Sequence, residues 1–260
     1  MPRFTVNIGM LFAERSFLDR ITAAAAAGFD HVECHFPYDH TIADIKAALA
    51  AAKMRMNGLN TSPGNAGEFG LAGAPGREAE FRERFDQAVT YARALGASMI
   101  HVMAGVAPPS ERRRALATYV ANLRAAADKA PDLTLLLEPL NHRSRPGYLI
   151  NRSDEVAELI VEIARPNVKL LFDVFHIQIM EGDILKRFEQ HLPVVGHVQI
   201  AAVPSRAEPD EGEVNYRAVL HAFDAMGYGG LVGLEYVPRG RTEDGLGWLA
   251  DFGLSRGRRE

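Results

Sequence analysis

The chain has a single cysteine, Cys34, among its 260 residues. An intrachain disulfide and a cysteine zinc cluster are thereby excluded. Cys34 stands in "DHVECHF", which reads as a strand, so an inert buried thiol is expected rather than a nucleophile. There is no excess of positive charge. The net charge is −4, and nothing marks a basic face built for nucleic acid. Long apolar runs are missing too. "MPRFTVNIGM" lacks the apolar core of a signal peptide, and "ITAAAAAGF" is too short to span a membrane. A soluble cytoplasmic protein with no membrane partner is expected. No low-complexity linker divides the chain. The nine histidines contain no HExxH and no clustered zinc spacing.

What is present is an alternation of two textures. Short β-rich runs begin at Phe4, His31, Met54, Ser98, Leu133, Val168, Val194 and Gly230. Helical stretches lie between them. "REAEFRERFDQAVTYARALGA" puts Phe81, Phe85, Ala88, Val89 and Ala92 on one face. "SDEVAELIVEIARP" opens with Ser153 as candidate N-cap and stops before Pro166. Two further helices end at Gly28 and Gly227 and pass directly into strands. Strand then helix, repeated at roughly 30 residues, means parallel strands with right-handed crossovers. Runs apolar on both faces suit a sheet covered by helices. Eight such units predict a single-domain (β/α)8 TIM barrel over 1–260, with a flexible tail from about residue 252. An open doubly wound sheet would show a glycine-rich loop after its first strand, where "NIGMLFAERS" has one glycine.

In such a barrel the chemistry sits at the C-terminal ends of the strands. The fifth apolar run, "LTLLLEPL", ends in Glu138; the sixth reaches Asp173, with His176 just beyond. The seventh carries Gln199 and the eighth Glu235. Strand alternation puts each on the same face as the residue two before it. Three carboxylates crowded into a half-dry mouth repel one another, and either a proton or a cation must join them. Three acids and an amide oxygen form a hard-oxygen set suited to Mg²⁺ or Mn²⁺. His31, His35 and His101 also fall in strands, and His101 is a candidate substrate contact beside the site. Glu33 can reach the cavity from the second strand.

"LLLEPLNHRSRPGYLI", "LLFDVFHIQIMEGD", "GHVQIAAVPSRAEPDEGEVNY" and "GLVGLEY" resemble the signature blocks of the hydroxypyruvate isomerases, a branch of the xylose-isomerase-like barrels. The resemblance runs nearly end to end. It departs at "DVFH", at Ser144 and Arg145, and in the low aromatic content of "NTSPG". It implies that Glu138, Asp173, Gln199 and Glu235 hold a divalent metal, and that Glu138 and Glu235 carry the proton transfers. Related sugar epimerases usually have histidine where this chain has Gln199, which favours the hydroxypyruvate branch. The implied reaction interconverts hydroxypyruvate and 2-hydroxy-3-oxopropanoate, an aldose–ketose isomerisation. An isomerase of a four-carbon 2-oxo acid and a ketose 3-epimerase are the alternatives. In this reading His176 steadies an oxygen of the intermediate. Arg206 takes the substrate carboxylate, with Arg143 as second choice. An abasic-site endonuclease on the same barrel would need more histidine ligands and a basic groove, and the chain has neither. A homo-oligomer is compatible with the sequence.

Overall fold

A computed structural model describes residues 2–253 of the protein. Eight parallel strands close on themselves in sequence order. They are β1 (Arg3–Asn7), β2 (His31–Cys34), β3 (Arg55–Asn60), β4 (Met99–His101), β5 (Thr134–Leu137), β6 (Val168–Asp173), β7 (Val195–Ile200) and β8 (Leu231–Leu234). Closure comes from β1 against β8, in the register Thr5 to Gly233. All eight strands lie where the β-rich runs predict them, and the barrel is the expected one.

The helices pack outside. They are α1 (Phe17–Ala26), α2 (Ile42–Ala52), α3 (Glu78–Leu95), α4 (Arg112–Lys129) and α5 (Ser153–Ile163). After these come α6 (Val174–Met180), α7 (Ile184–His191), α8 (Tyr216–Ala225) and a short α9 (Thr242–Gly245). The predicted apolar face of α3 is buried from Phe81 to Ala92. Two helices follow β6 instead of one. Asp183 takes a left-handed backbone beside Gly182, so the chain turns before helix can resume. Ser153 is not the cap of α5. That position falls to Arg152, and the backbone N–H and hydroxyl of Ser153 both donate to the buried Glu181 carboxylate. An acid from a neighbouring element thus satisfies the helix N-terminus. The tail expected from about residue 252 begins at a packed residue: Phe252 lies 5.7 Å from Phe4, ring to ring. The rest of that tail, residues 254–260, is outside the described residues. Among the described residues no helix is long and apolar enough to cross a membrane.

Cys34 is buried, and burial followed by the adjacent Glu33 pushes its thiol well above the usual range. Native protein is therefore expected to give no reaction with Ellman's reagent until denaturant is added, when one thiol should titrate. Fast labelling of folded protein would show that Cys34 is accessible.

The barrel interior is unusually polar. Asn7, Glu33, Asn57, His101, His197 and Gln199 are all buried there. Glu33 organises much of this set. It accepts from Gln199 Nε2 at 2.7 Å, His197 Nε2 at 2.9 Å and Asn57 Nδ2 at 3.3 Å. Gly233 on β8 makes room for the network. A Cβ there would stand 2.6 Å from Glu33 and 2.8 Å from Gln199.

Candidate active site

Above that interior, at the C-terminal ends of the strands, opens a cavity of about 460 Å³. His35, His101, Glu138, Arg145, Arg206 and Glu235 are among its walls. A larger hollow of about 750 Å³ lies beside α1 and α9, away from the strand ends. The smaller one gathers the convergent titratable groups, so we place the chemistry there.

Glu138 follows β5 directly, and Asp173 is the last residue of β6 and the N-cap of α6, where one oxygen accepts from Phe175 N–H at 2.8 Å. With His176 they form a buried trio whose nearest ligand atoms lie within 4.8 Å of one another. Burial, then the charges of Glu235 and Asp173, push the Glu138 carboxyl well above the usual range. Burial, then Glu235, brings Asp173 up to about 7. His101 Nδ1 lies 3.3 Å from Glu138, yet burial lowers His101 to about 4. The imidazole is therefore neutral at pH 7, and the contact is not an ion pair.

His176 has a defined tautomer. Its Nδ1 accepts the backbone N–H of Asn141 at 2.9 Å, so the ring proton sits on Nε2. Nε2 points between Asp173 at 3.6 Å and Glu138 at 3.8 Å, beyond hydrogen-bond reach of either. His176 therefore presents a donor to the space between the carboxylates.

Glu235, just past β8, sits in the opposite setting. One oxygen accepts Asn7 Nδ2 at 2.9 Å and His35 Nε2 at 2.7 Å; the other accepts Arg206 Nη2 at 2.8 Å. Burial alone would raise its pKa, but the His35 hydrogen bond and charge, with Arg206, hold it below the usual carboxylate range. Arg206 has a left-handed backbone and stacks 5.0 Å from the Phe175 ring.

Gln199 on β7 is paired in register with Asp173 and does not line the main cavity. It lines a small space of about 20 Å³ with Glu33, His101 and His197. Its amide nitrogen is bound to Glu33, so the Oε1 orientation is set. That oxygen, Glu138 Oε1 and Asp173 Oδ2 are all buried without a hydrogen-bond partner. Three unpartnered hard oxygens, two of them on carboxyls whose pKa burial raises, suit a divalent cation. Glu235 differs, because protein donors occupy both its oxygens here.

Of the other residues read from sequence, His31 is half-buried at the start of β2, the end opposite the mouth. Arg143 is exposed and does not line the cavity. Sequence reading did not single out Asn7, which ends β1 after an apolar run as Glu138 follows β5. The same strand-end rule finds it.

A closed parallel barrel with carboxylates, imidazoles and arginines gathered at its C-terminal mouth is an enzyme's architecture for a small polar molecule. The chain belongs to the xylose isomerase-like TIM barrel family, whose model matches residues 21–252. It is 46% identical over 257 residues to the 2-oxo-tetronate isomerase of Cupriavidus necator, covering 97% of this chain and 99% of that one. To the hydroxypyruvate isomerase of Escherichia coli it is 41% identical, covering 97% and 100%. The crystal structure of AP endonuclease, family 2, from Brucella melitensis matches with a TM-score of 0.95 at 44% identity, covering 97% and 99%.

Proposed function

We propose that this protein is an aldose–ketose isomerase that interconverts hydroxypyruvate and 2-hydroxy-3-oxopropanoate through an enediolate. The observation that carries the reading is a pair of glutamates on one cavity in opposed settings. Glu138 is crowded by acids and Glu235 is held by cations and amide donors. Moving a proton between adjacent carbons needs one group that accepts it and one that returns it, and such pairs are made by environments that separate two pKa values. The names of the Escherichia and Cupriavidus relatives support isomerisation of a short oxo acid.

Glu138, Asp173, Gln199 and Glu235 would hold Mg²⁺ or Mn²⁺, which when bound supplies Lewis-acid stabilisation of negative charge on the substrate oxygens. His176 donates its Nε2 proton to an oxygen of the enediolate. Arg206, whose Nε is buried without a partner, takes the substrate carboxylate. His101 Nε2, also without a partner, meets a substrate oxygen. Glu138 and Glu235 hold and return the migrating proton.

The four-carbon reading, in which the substrate is 2-oxo-tetronate, draws on the 46% identical relative. A ketose 3-epimerase would use the same glutamates but a neutral substrate, with no use for an arginine. Proton NMR of Mn²⁺-loaded protein with hydroxypyruvate, a four-carbon 2-oxo acid and ketoses in parallel tests the assignment. Interconversion of the three-carbon acids is expected. Turnover of the four-carbon acid alone would change the substrate, and turnover of ketoses alone would overturn the reading. The AP endonuclease name of the Brucella protein points elsewhere; cleavage of an abasic-site duplex would likewise count against it.

Burial and Glu235 bring Asp173 up to about 7, so a proton shared there near neutral pH must leave when a cation binds. Mn²⁺ binding is therefore expected to release protons and to tighten as pH rises from about 6 to about 8, through the Asp173 value of about 7. Titration calorimetry in buffers of different ionisation enthalpy measures both. Constant affinity with no proton release would contradict the assigned ligands.

A further inference from the structure

Arg145 has no role in the reading above, yet it lies on the cavity wall. Its guanidinium carbon sits 4.3 Å from the centroid of the Phe69 ring. Among the described residues its one side-chain hydrogen bond goes to the neighbouring Ser144 carbonyl, at 2.8 Å. Among the described residues no carboxylate stands within ion-pair distance of it. Arg206 is different, being already engaged with Glu235. The cavity thus holds one arginine paired with Glu235 and one that, among the described residues, makes no direct ion pair.

The backbone holds Arg145 in place. Its N–H donates to Asn141 at 3.0 Å, and its carbonyl accepts from Tyr148 at 3.2 Å. Asn141 is fully buried and also fixes His176. Two antiparallel bridges, Gly70 to Ala104 and Val106 to Tyr148, stitch the loops after β3, β4 and β5 together. Phe69 adopts a left-handed backbone with φ of 52° within this structure. A bulky residue held there is strained, and such strain persists where the surroundings enforce it. Here it keeps an aromatic face beneath a cation. Arg145 and Arg206 both line this cavity, and burial, then the positive charge of Arg206, lowers the pKa of Arg145. An anion between them would relieve that repulsion.

We propose that Arg145, stacked on Phe69, is a substrate-binding residue that with Arg206 forms a two-arginine clamp for the carboxylate of a short oxo acid. The clamp selects anionic substrates over neutral sugars of similar size. As to what it would turn over, the inference rests on the isomerase reading. The anion site itself stands on geometry alone.

The test uses full-length Mn²⁺-loaded protein and the variants Arg145→Gln, Arg145→Lys and Phe69→Leu. Arg145 is half-exposed, so its replacement should leave the fold intact, checked by circular dichroism. A charge-assisted contact made equally in ground and transition states acts on KM. Arg145→Gln is expected to raise KM for hydroxypyruvate about 10- to 100-fold with kcat within about threefold of the parent. Arg145→Lys should recover part of the loss, and Phe69→Leu should raise KM less, about threefold to tenfold. The second readout is calorimetric binding of D-glycerate, an unreactive three-carbon acid, with glycerol as the neutral counterpart. Glycerate should bind the parent protein and bind Arg145→Gln at least about tenfold more weakly. If the parent turns over no oxo acid but binds glycerate through Arg145, the clamp stands and the isomerase reading falls. If turnover is present and Arg145→Gln leaves both KM and glycerate binding unchanged, the clamp is overturned. A fall in kcat alone would also overturn it.

Discussion

Glu235→Gln is expected to lower turnover of hydroxypyruvate by at least about a hundredfold, the scale of a positioned proton-transfer group. The substitution keeps the shape and one acceptor oxygen but cannot take up a proton. The surroundings make it demanding. Arg206 donates to one oxygen, and Asn7 and His35 donate to the other. An amide must turn its own N–H₂ toward one of these donor sets, losing one hydrogen bond if it faces Arg206 and two if it faces Asn7 and His35. Metal affinity can fall for the same reason, and the comparison belongs at saturating Mn²⁺. Solvent deuterium then assigns the side of the enediolate. If Glu235 serves only the second carbon, the variant should still wash deuterium into substrate through Glu138 while forming no product. If Glu235 serves the first carbon, exchange stops as well. Near-normal turnover at saturating metal would end the two-glutamate mechanism.

Removal of the divalent ion is expected to cost still more, about a thousandfold or greater. Lewis-acid stabilisation of a developing oxyanion is worth several kcal/mol, at roughly 1.4 kcal/mol for each factor of ten. The case rests on Glu138 Oε1, Asp173 Oδ2 and Gln199 Oε1, three buried acceptors with no donor. Chelation followed by gel filtration should abolish activity, and Mg²⁺ or Mn²⁺ should restore it. The far-ultraviolet spectrum should not change, because the apolar core of the barrel forms without the ion. Full activity in protein shown by elemental analysis to be free of divalent metal would refute the role.

The barrel was legible because each strand is a short run apolar on both faces, bounded by helix signals. Even β4, with three residues in its strand, announced itself through "SMIHVMAG". The strand-end rule pointed to Glu138, Asp173, Gln199 and Glu235, and the structure brings Glu138 and Asp173 together with His176. What could not be read was who touches whom across closure. Glu235 is held by Asn7 and His35, 228 and 200 residues away in the chain, because β1 pairs with both β8 and β2. Such contacts follow from the closed sheet, not from local pattern. Arg145 was visible only as a departure in a loop. Its stacking on Phe69 depends on loops joined by bridges that no periodicity reveals. Arg143, two residues away, is equally basic and points to solvent.

The glutamate-centred lattice inside the barrel sets which positions are free to vary. Glu33 ties His197, Gln199 and Asn57 together through hydrogen bonds, and Gly233 leaves the space they fill. Changing one member strands a buried partner, so these residues can change only as a group. Arg145 and Phe69 stand on loops whose side chains face the cavity, and exchanging them leaves no such orphan below. New substrate preferences on this scaffold should therefore arise, in nature or in directed evolution, by trading loop side chains over an unaltered floor.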